Sequence, residues 1–126
     1  MIDGFLARSS RPGHGSDSVT IDAVDSWIEK CHAMGIKSII CFLDGSQLDF
    51  YSSVPSGLLG HYNNSGFSVM HLPEEDYLDP PLSEENLRET VAGFEVLEKP
   101  VLVHCSAGVD RTGLAIQAIK RHHDLS

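Results

Sequence analysis

The sequence is short of cations, of cysteine and of long apolar runs, and each shortage excludes something. Nine Lys and Arg stand against eighteen Asp and Glu, for a formal net charge of −9. The one cationic cluster is Lys120-Arg121-His122-His123, near the end. A reader of the nucleic-acid backbone needs a basic face, and so does a binder of anionic lipid, so neither nucleic acid nor membrane is an expected partner. Cys31, Cys41 and Cys105 are three cysteines, an odd number that makes no complete disulfide set and points to a reducing, cytoplasmic setting. No apolar run approaches the roughly 20 residues that span a bilayer. Met1-Ile2-Asp3-Gly4 lacks the basic and apolar regions of a signal peptide. Internal repeats and low-complexity linkers are also missing, so residues 1–126 read as a single domain. Seven histidines show no pair at convincing ligand spacing, and neither a metal nor a cofactor is expected.

What is present alternates between strand and helix patterns. Ile2–Ala7 reads as an edge strand that breaks at the turn-rich Ser9-Ser10-Arg11-Pro12-Gly13. Thr20 looks like an N-cap, with Val24, Trp27, Ile28 and Cys31 following at helical spacing and Gly35 closing the helix. Ile36–Leu43 reads as a buried strand, Asp44–Gly66 as polar and turn-rich with a short helix near Gln47–Tyr51, and Phe67–Leu72 as a strand. Ser83 caps a second long helix, with Glu84 and Glu85 where the helix dipole favours them. Val101-Leu102-Val103 is β-branched and wholly apolar, as a central parallel strand is. A last helix starts near Arg111. This order implies an α/β fold with a mostly parallel central sheet flanked by helices, and ligands bind beyond the carboxyl ends of such strands.

The stretch after that central strand carries chemistry. Successive backbone N–H groups of Ser106, Ala107, Gly108, Val109, Asp110 and Arg111 can converge on one point, with Gly108 relieving the curl and the helix start adding its dipole. Arg111 brings a planar guanidinium that grips two phosphoryl oxygens at once. Cys105 stands at the base of this anion nest, where positive partial charge favours a nucleophilic thiolate, and the Thr112 hydroxyl is placed to donate to its sulfur. His104 is expected to order the loop through backbone hydrogen bonds. In-line attack by Cys105 on a bound phosphate gives a cysteinyl-phosphate that water then hydrolyses.

His104-Cys105, five residues, then Arg111-Thr112-Gly113 resembles the signature of protein tyrosine phosphatases, and the small size resembles their dual-specificity branch. The resemblance implies a phosphotyrosine phosphatase-like fold, Cys105 as nucleophile and residues 106–111 as the phosphate cradle. It also implies a proton donor on a separate loop about 30 residues upstream, with Pro four residues after it. Asp76 lies 105 − 76 = 29 positions before Cys105, and Pro80 follows it by four. Asp79, three residues on, and Asp110, inside the loop, are the alternatives; myotubularin-like lipid phosphatases also carry Asp directly before the loop Arg.

Departures from the pattern bear on substrate. The extended loops of tyrosine-specific members are not recognisable, so a shallow pocket open to phosphotyrosine and to phosphoserine or phosphothreonine is expected. Tensin-type lipid phosphatases place lysines in the loop, whereas this loop has Val109 and Asp110. A phosphoprotein or a small phosphoester is therefore the expected partner. Only thirteen residues follow Gly113, a short C-terminal end for the family. A phosphate-recognising module with little turnover is the alternative from another class, and sulfur or arsenate chemistry on a related Cys loop is a third. Cys41 and Cys31 are expected to be buried small hydrophobes, with a second cysteine that protects the nucleophile, as in some members of the family, the alternative for Cys41. Trp27 is expected in the core, His122-His123 at a solvated helix end, and Arg8 and Arg11, which beside the turn could reach the site, are expected to be exposed.

Overall fold

The computed structural model describes residues 4–123. Four strands of four residues each, β1 (Leu6–Ser9), β2 (Ser38–Cys41), β3 (Ser68–His71) and β4 (Val101–His104), form one parallel sheet in the order β1-β4-β2-β3. The register pairs Ser9 with His104, His104 with Cys41, and Cys41 with His71. All four carboxyl ends therefore lie in one row, and four loops leave the sheet along the same edge.

Among the described residues five helices cover the faces, α1 (Ile21–Ala33), α2 (Gly45–Leu48), α3 (Gly57–Asn64), α4 (Glu84–Val96) and α5 (Asp110–His123), with one 3-10 turn at Asp49–Tyr51. Alternation along the strands sorts the core. Ile39 and Leu102 pack with Val24, Ile28, Leu58 and Tyr62 on one face, while Ile40 and Val103 pack with Phe94, Ile116 and Ile119 on the other. β2 and β4, central in the sheet, are buried at every position. The expected caps form, with Thr20 Oγ1 accepting from Ala23 N at 3.2 Å and Ser83 Oγ accepting from Asn86 N at 3.1 Å. Among the described residues no helix is long and apolar enough to cross a membrane.

Three expectations need correction. The first strand runs Leu6–Ser9, at the sheet edge but displaced toward the turn; Ile2 lies outside the described residues. β2 is half the length of the apolar run Ile36–Leu43, because its neighbour β4 ends at His104; Phe42 and Leu43 stay fully buried beyond the ladder. The third is α3, inside the stretch read as turn-rich. Gly57, Gly60, Asn63 and Asn64 give it poor helix propensity, and burial of Leu58 and Tyr62 holds it instead.

Candidate active site

β4 delivers His104 and Cys105 to the carboxyl edge, and the chain turns through Ser106–Val109 before α5 begins at Asp110. Gly108 makes this turn possible. Its φ is +76°, and a Cβ there would meet the backbone of the β1 exit, 2.5 Å from Ser9 O and 2.6 Å from Ser9 C.

Two arginines from that exit brace the loop. Arg8 Nη2 donates to Gly108 O at 2.7 Å and Val109 O at 3.3 Å. Arg11 donates from its backbone N to Ser106 O at 2.9 Å and from Nε to Ser106 Oγ at 3.2 Å. Arg11, expected to be exposed, is buried. Its charge is tolerable there because Nη2 donates to Ser16 O at 2.7 Å, Nη1 to Tyr51 OH at 3.2 Å, and the guanidinium lies 4.8 Å from the Phe50 ring centroid.

Arg111 is 1% exposed and joins three of the four loops. Its Nη1 donates to Phe42 O at 3.1 Å, Gln47 Oε1 at 3.1 Å and Glu74 O at 2.6 Å. Nη2 lies 3.2 Å from Asp76 Oδ2, an ion-pair distance without an aligned hydrogen bond. Among the described residues, four buried side-chain polar atoms have no hydrogen-bond partner. One is His123 Nε2, in the last turn of α5; the other three are Arg111 Nε, Arg111 Nη2 and Thr112 Oγ1, at its start. Buried donors are rarely left unspent, so this concentration marks a place built for an acceptor-rich ligand. The Thr112 hydroxyl does not make the expected bond to the Cys105 sulfur; it is one of the three unspent groups.

Of the three candidate acids, Asp76 is the one paired with Arg111. Asp110 is exposed at the start of α5, on a separate cleft shared with Arg8 and Lys120, and Asp79 is exposed. Asp76 lines an open cleft of about 540 Å³ with Asp44, Gln47, Phe50, Tyr77 and Ser106. Its Oδ1 accepts from Tyr77 N at 3.1 Å, and Tyr77 sits in left-handed backbone (φ 62°) with its side chain in solvent.

Behind the loop, His104 is wholly buried. A carbonyl only accepts, so Nδ1–H donates to Cys105 O at 3.0 Å and Nε2 accepts from Tyr62 OH at 2.9 Å. Burial pushes its pKa down to about 4, and the bond to the Cys105 carbonyl offsets only part of that. The unfolded chain takes up this proton near pH 6.5 and the folded one near 4, so the contribution to stability is complete above 6.5 and lost as pH falls through 4. Its size is roughly 3 kcal/mol. Urea unfolding of wild type and His104→Asn at pH 7 and pH 4.5 should show the stability gap between them narrowing at the lower pH; a gap independent of pH would contradict a buried neutral imidazole. Burial also pushes the Cys31 and Cys41 thiols up to about 12, which fits inert core residues.

Two residues at the site escape sequence reasoning as functional candidates, Gln47 and Tyr62, whereas Arg11 is legible as able to reach the site but reads as exposed. The Asp44-x-x-Gln47 spacing is a legible capping box. A lone tyrosine carries no such signal.

A family model described as the tyrosine phosphatase family matches residues 59–124. Among solved structures, Tk-PTP in its active form is similar in fold, with a TM-score of 0.67 at 22% identity over 100% of this chain and 74% of that one. No curated protein matches.

Proposed function

The chain belongs to the tyrosine phosphatase family, and we propose that it hydrolyses phosphomonoesters through a phosphocysteine formed on Cys105. The observation that carries this reading is the set of unspent buried donors on Arg111 and Thr112 at the head of α5, with Asp76 3.2 Å from the same guanidinium. Loop N–H groups of residues 106–111 and Arg111 Nε and Nη2 hold the phosphoryl oxygens. Bound phosphate displaces Asp76 from Arg111, and the freed carboxylate takes up a proton from solvent. The Cys105 sulfur, its own proton released to solvent, attacks phosphorus in line, the ester P–O bond breaks, and the leaving oxygen takes the proton from Asp76. Asp76 then accepts a proton from water as that water attacks phosphorus; the P–S bond breaks and inorganic phosphate leaves. His104 supports the loop through its bond to Cys105 O, and the Thr112 hydroxyl, free of any partner, is available to the bound anion.

The open cleft, with Phe50 and Tyr77 beside it and no Lys or Arg in its lining, suits single phosphates on protein side chains or small esters better than polyphosphates. We read this as dual specificity toward phosphotyrosine and phosphoserine or phosphothreonine. Three unpaired thiols fit a cytoplasmic setting.

The test is hydrolysis of para-nitrophenyl phosphate from pH 4 to 8 with a chelator present. Asp76→Asn should lower kcat by about 10²-fold and flatten the basic limb of the profile, whereas Asp79→Asn and Asp110→Asn keep that limb. Loss of the limb in Asp110→Asn alone would move the proton donor into the loop. A folded protein that binds phosphate without turnover would be a recognition module instead.

A further inference from the structure

Gln47 has no role in the chemistry just described, yet its side chain lies between the two groups that matter most. Its Oε1 accepts from Arg111 Nη1 at 3.1 Å, and its Nε2 donates to Asp76 Oδ2 at 3.2 Å. We infer that Gln47 is a positioning residue that keeps Asp76 at the leaving oxygen while the substrate phosphate takes its place on Arg111. The inference rests on Asp76 being the proton donor.

The residue type fits the task. A guanidinium only donates and a carboxylate only accepts, so a bridge between them needs an acceptor and a donor at one side-chain end. A carboxamide has both, and its partners fix which way round it sits. Glutamate in the same place serves Arg111 but repels Asp76, and leucine serves neither.

The side chain is also held in place by its own element. The Asp44 carboxylate accepts from Gln47 N at 2.9 Å, and Gln47 Oε1 accepts from Asp44 N at 3.4 Å, closing a capping box at the start of α2. Only 8% of Gln47 is exposed. A buried, doubly anchored side chain of this kind loses little entropy when it orients a second group.

Substrate binding creates the need. At rest, Asp76 Oδ2 sits 3.2 Å from Arg111 Nη2, one of the donors a phosphate has to take. Once it does, the carboxyl loses its cation and faces an anion. Two hydrogen bonds then keep it in place: Tyr77 N on Oδ1, from an exposed turn, and Gln47 Nε2 on Oδ2, from a buried one. Gln47 is thus the rigid half of the acid's mounting.

Leaving-group dependence separates this role from simple helix capping, because a displaced acid hurts poor leaving groups most, whereas a weakened α2 lowers all rates alike. Gln47→Glu keeps acceptors for Arg111 and Asp44 and removes the donor to Asp76. Across a series of aryl phosphates, its kcat/KM should fall two- to three-fold for para-nitrophenyl phosphate and about tenfold or more for phenyl phosphate. Inhibition by inorganic phosphate should hold within about threefold. Gln47→Leu, a neutral variant in case the added charge disturbs folding, should show the same leaving-group slope together with weaker phosphate inhibition. In an Asp76→Asn background, Gln47→Glu should add no further slope. Equal losses on every ester, or an additive effect in that background, would overturn the inference. If Asp76→Asn itself shows no slope, the acid assignment fails; if Asp76→Asn shows it and both Gln47 variants do not, the positioning role alone fails.

Discussion

Replacing Cys105 by serine is expected to abolish turnover and leave oxyanion binding intact. The change swaps sulfur for oxygen in a side chain only 2% exposed at the end of β4, so the loop and its braces from Arg8 and Arg11 have no reason to move. Arg111 Nε and Nη2 and the Thr112 hydroxyl still lack partners and still offer themselves to a phosphate. What disappears is the nucleophile. An unactivated serine hydroxyl is hardly ionised near neutral pH, and no base stands assigned beside it, so kcat should drop by about 10⁴-fold or more. The other thiols offer no bypass. Cys31 and Cys41 are 2% and 0% exposed, and thiols pushed up to about 12 are ionised to only about one part in 10⁵ at pH 7. Steady-state hydrolysis of para-nitrophenyl phosphate, with calorimetric titration of inorganic phosphate into the same sample, checks both halves. Turnover within tenfold of wild type would remove Cys105 from the mechanism. Loss of phosphate binding in a folded variant would mean that sulfur, and not the cradle, holds the anion.

The parts of the site that the sequence makes legible are those the chain itself keeps together. Cys105 to Thr112 is contiguous, so strand, turn and helix start can be read from neighbouring residues, and Gly108 announces the curl. Asp76 is legible at one remove, through its distance to Cys105 and to Pro80. The pieces that stayed hidden come from loops that only the parallel register brings together. Because Ser9, Cys41 and His71 end level with His104, the residues just beyond them fall around Arg111. Arg11 therefore reaches Ser106, and Gln47 reaches both Arg111 and Asp76. Local pattern holds no trace of such meetings. It also misleads about exposure, since an arginine in a Ser-Pro-Gly turn reads as solvated until Tyr51, Phe50 and Ser16 are seen to enclose it. The fold class was legible because its signals are periodic; α3 was not, because tertiary burial of Leu58 and Tyr62 outweighs a glycine- and asparagine-rich sequence.

Arg111→Lys should be nearly as damaging as loss of the nucleophile, even though it conserves charge. The guanidinium performs two tasks at once. Nη1 ties Phe42 O, Gln47 Oε1 and Glu74 O together, which fixes the β2 exit, α2 and the acid-bearing loop around one point. Nε and Nη2, meanwhile, stay unspent. A lysine ammonium is a point charge with three donors on a flexible stem, so satisfying the carbonyls leaves nothing for the phosphate, and turning to the phosphate orphans the carbonyls. The bidentate grip on the transition state goes either way, for an expected fall in kcat/KM of about 10³–10⁴-fold. Buried acceptors left short of a donor should also cost about 2–4 kcal/mol of stability. Urea unfolding with and without inorganic phosphate separates these effects. Wild type and Cys105→Ser should both be stabilised by phosphate, since the ligand binds only the folded chain. Arg111→Lys should begin less stable and gain nothing from it. A variant that unfolds like wild type and keeps its phosphate response would show that the loop N–H groups alone bind the anion, and would leave Arg111 as a strut between loops.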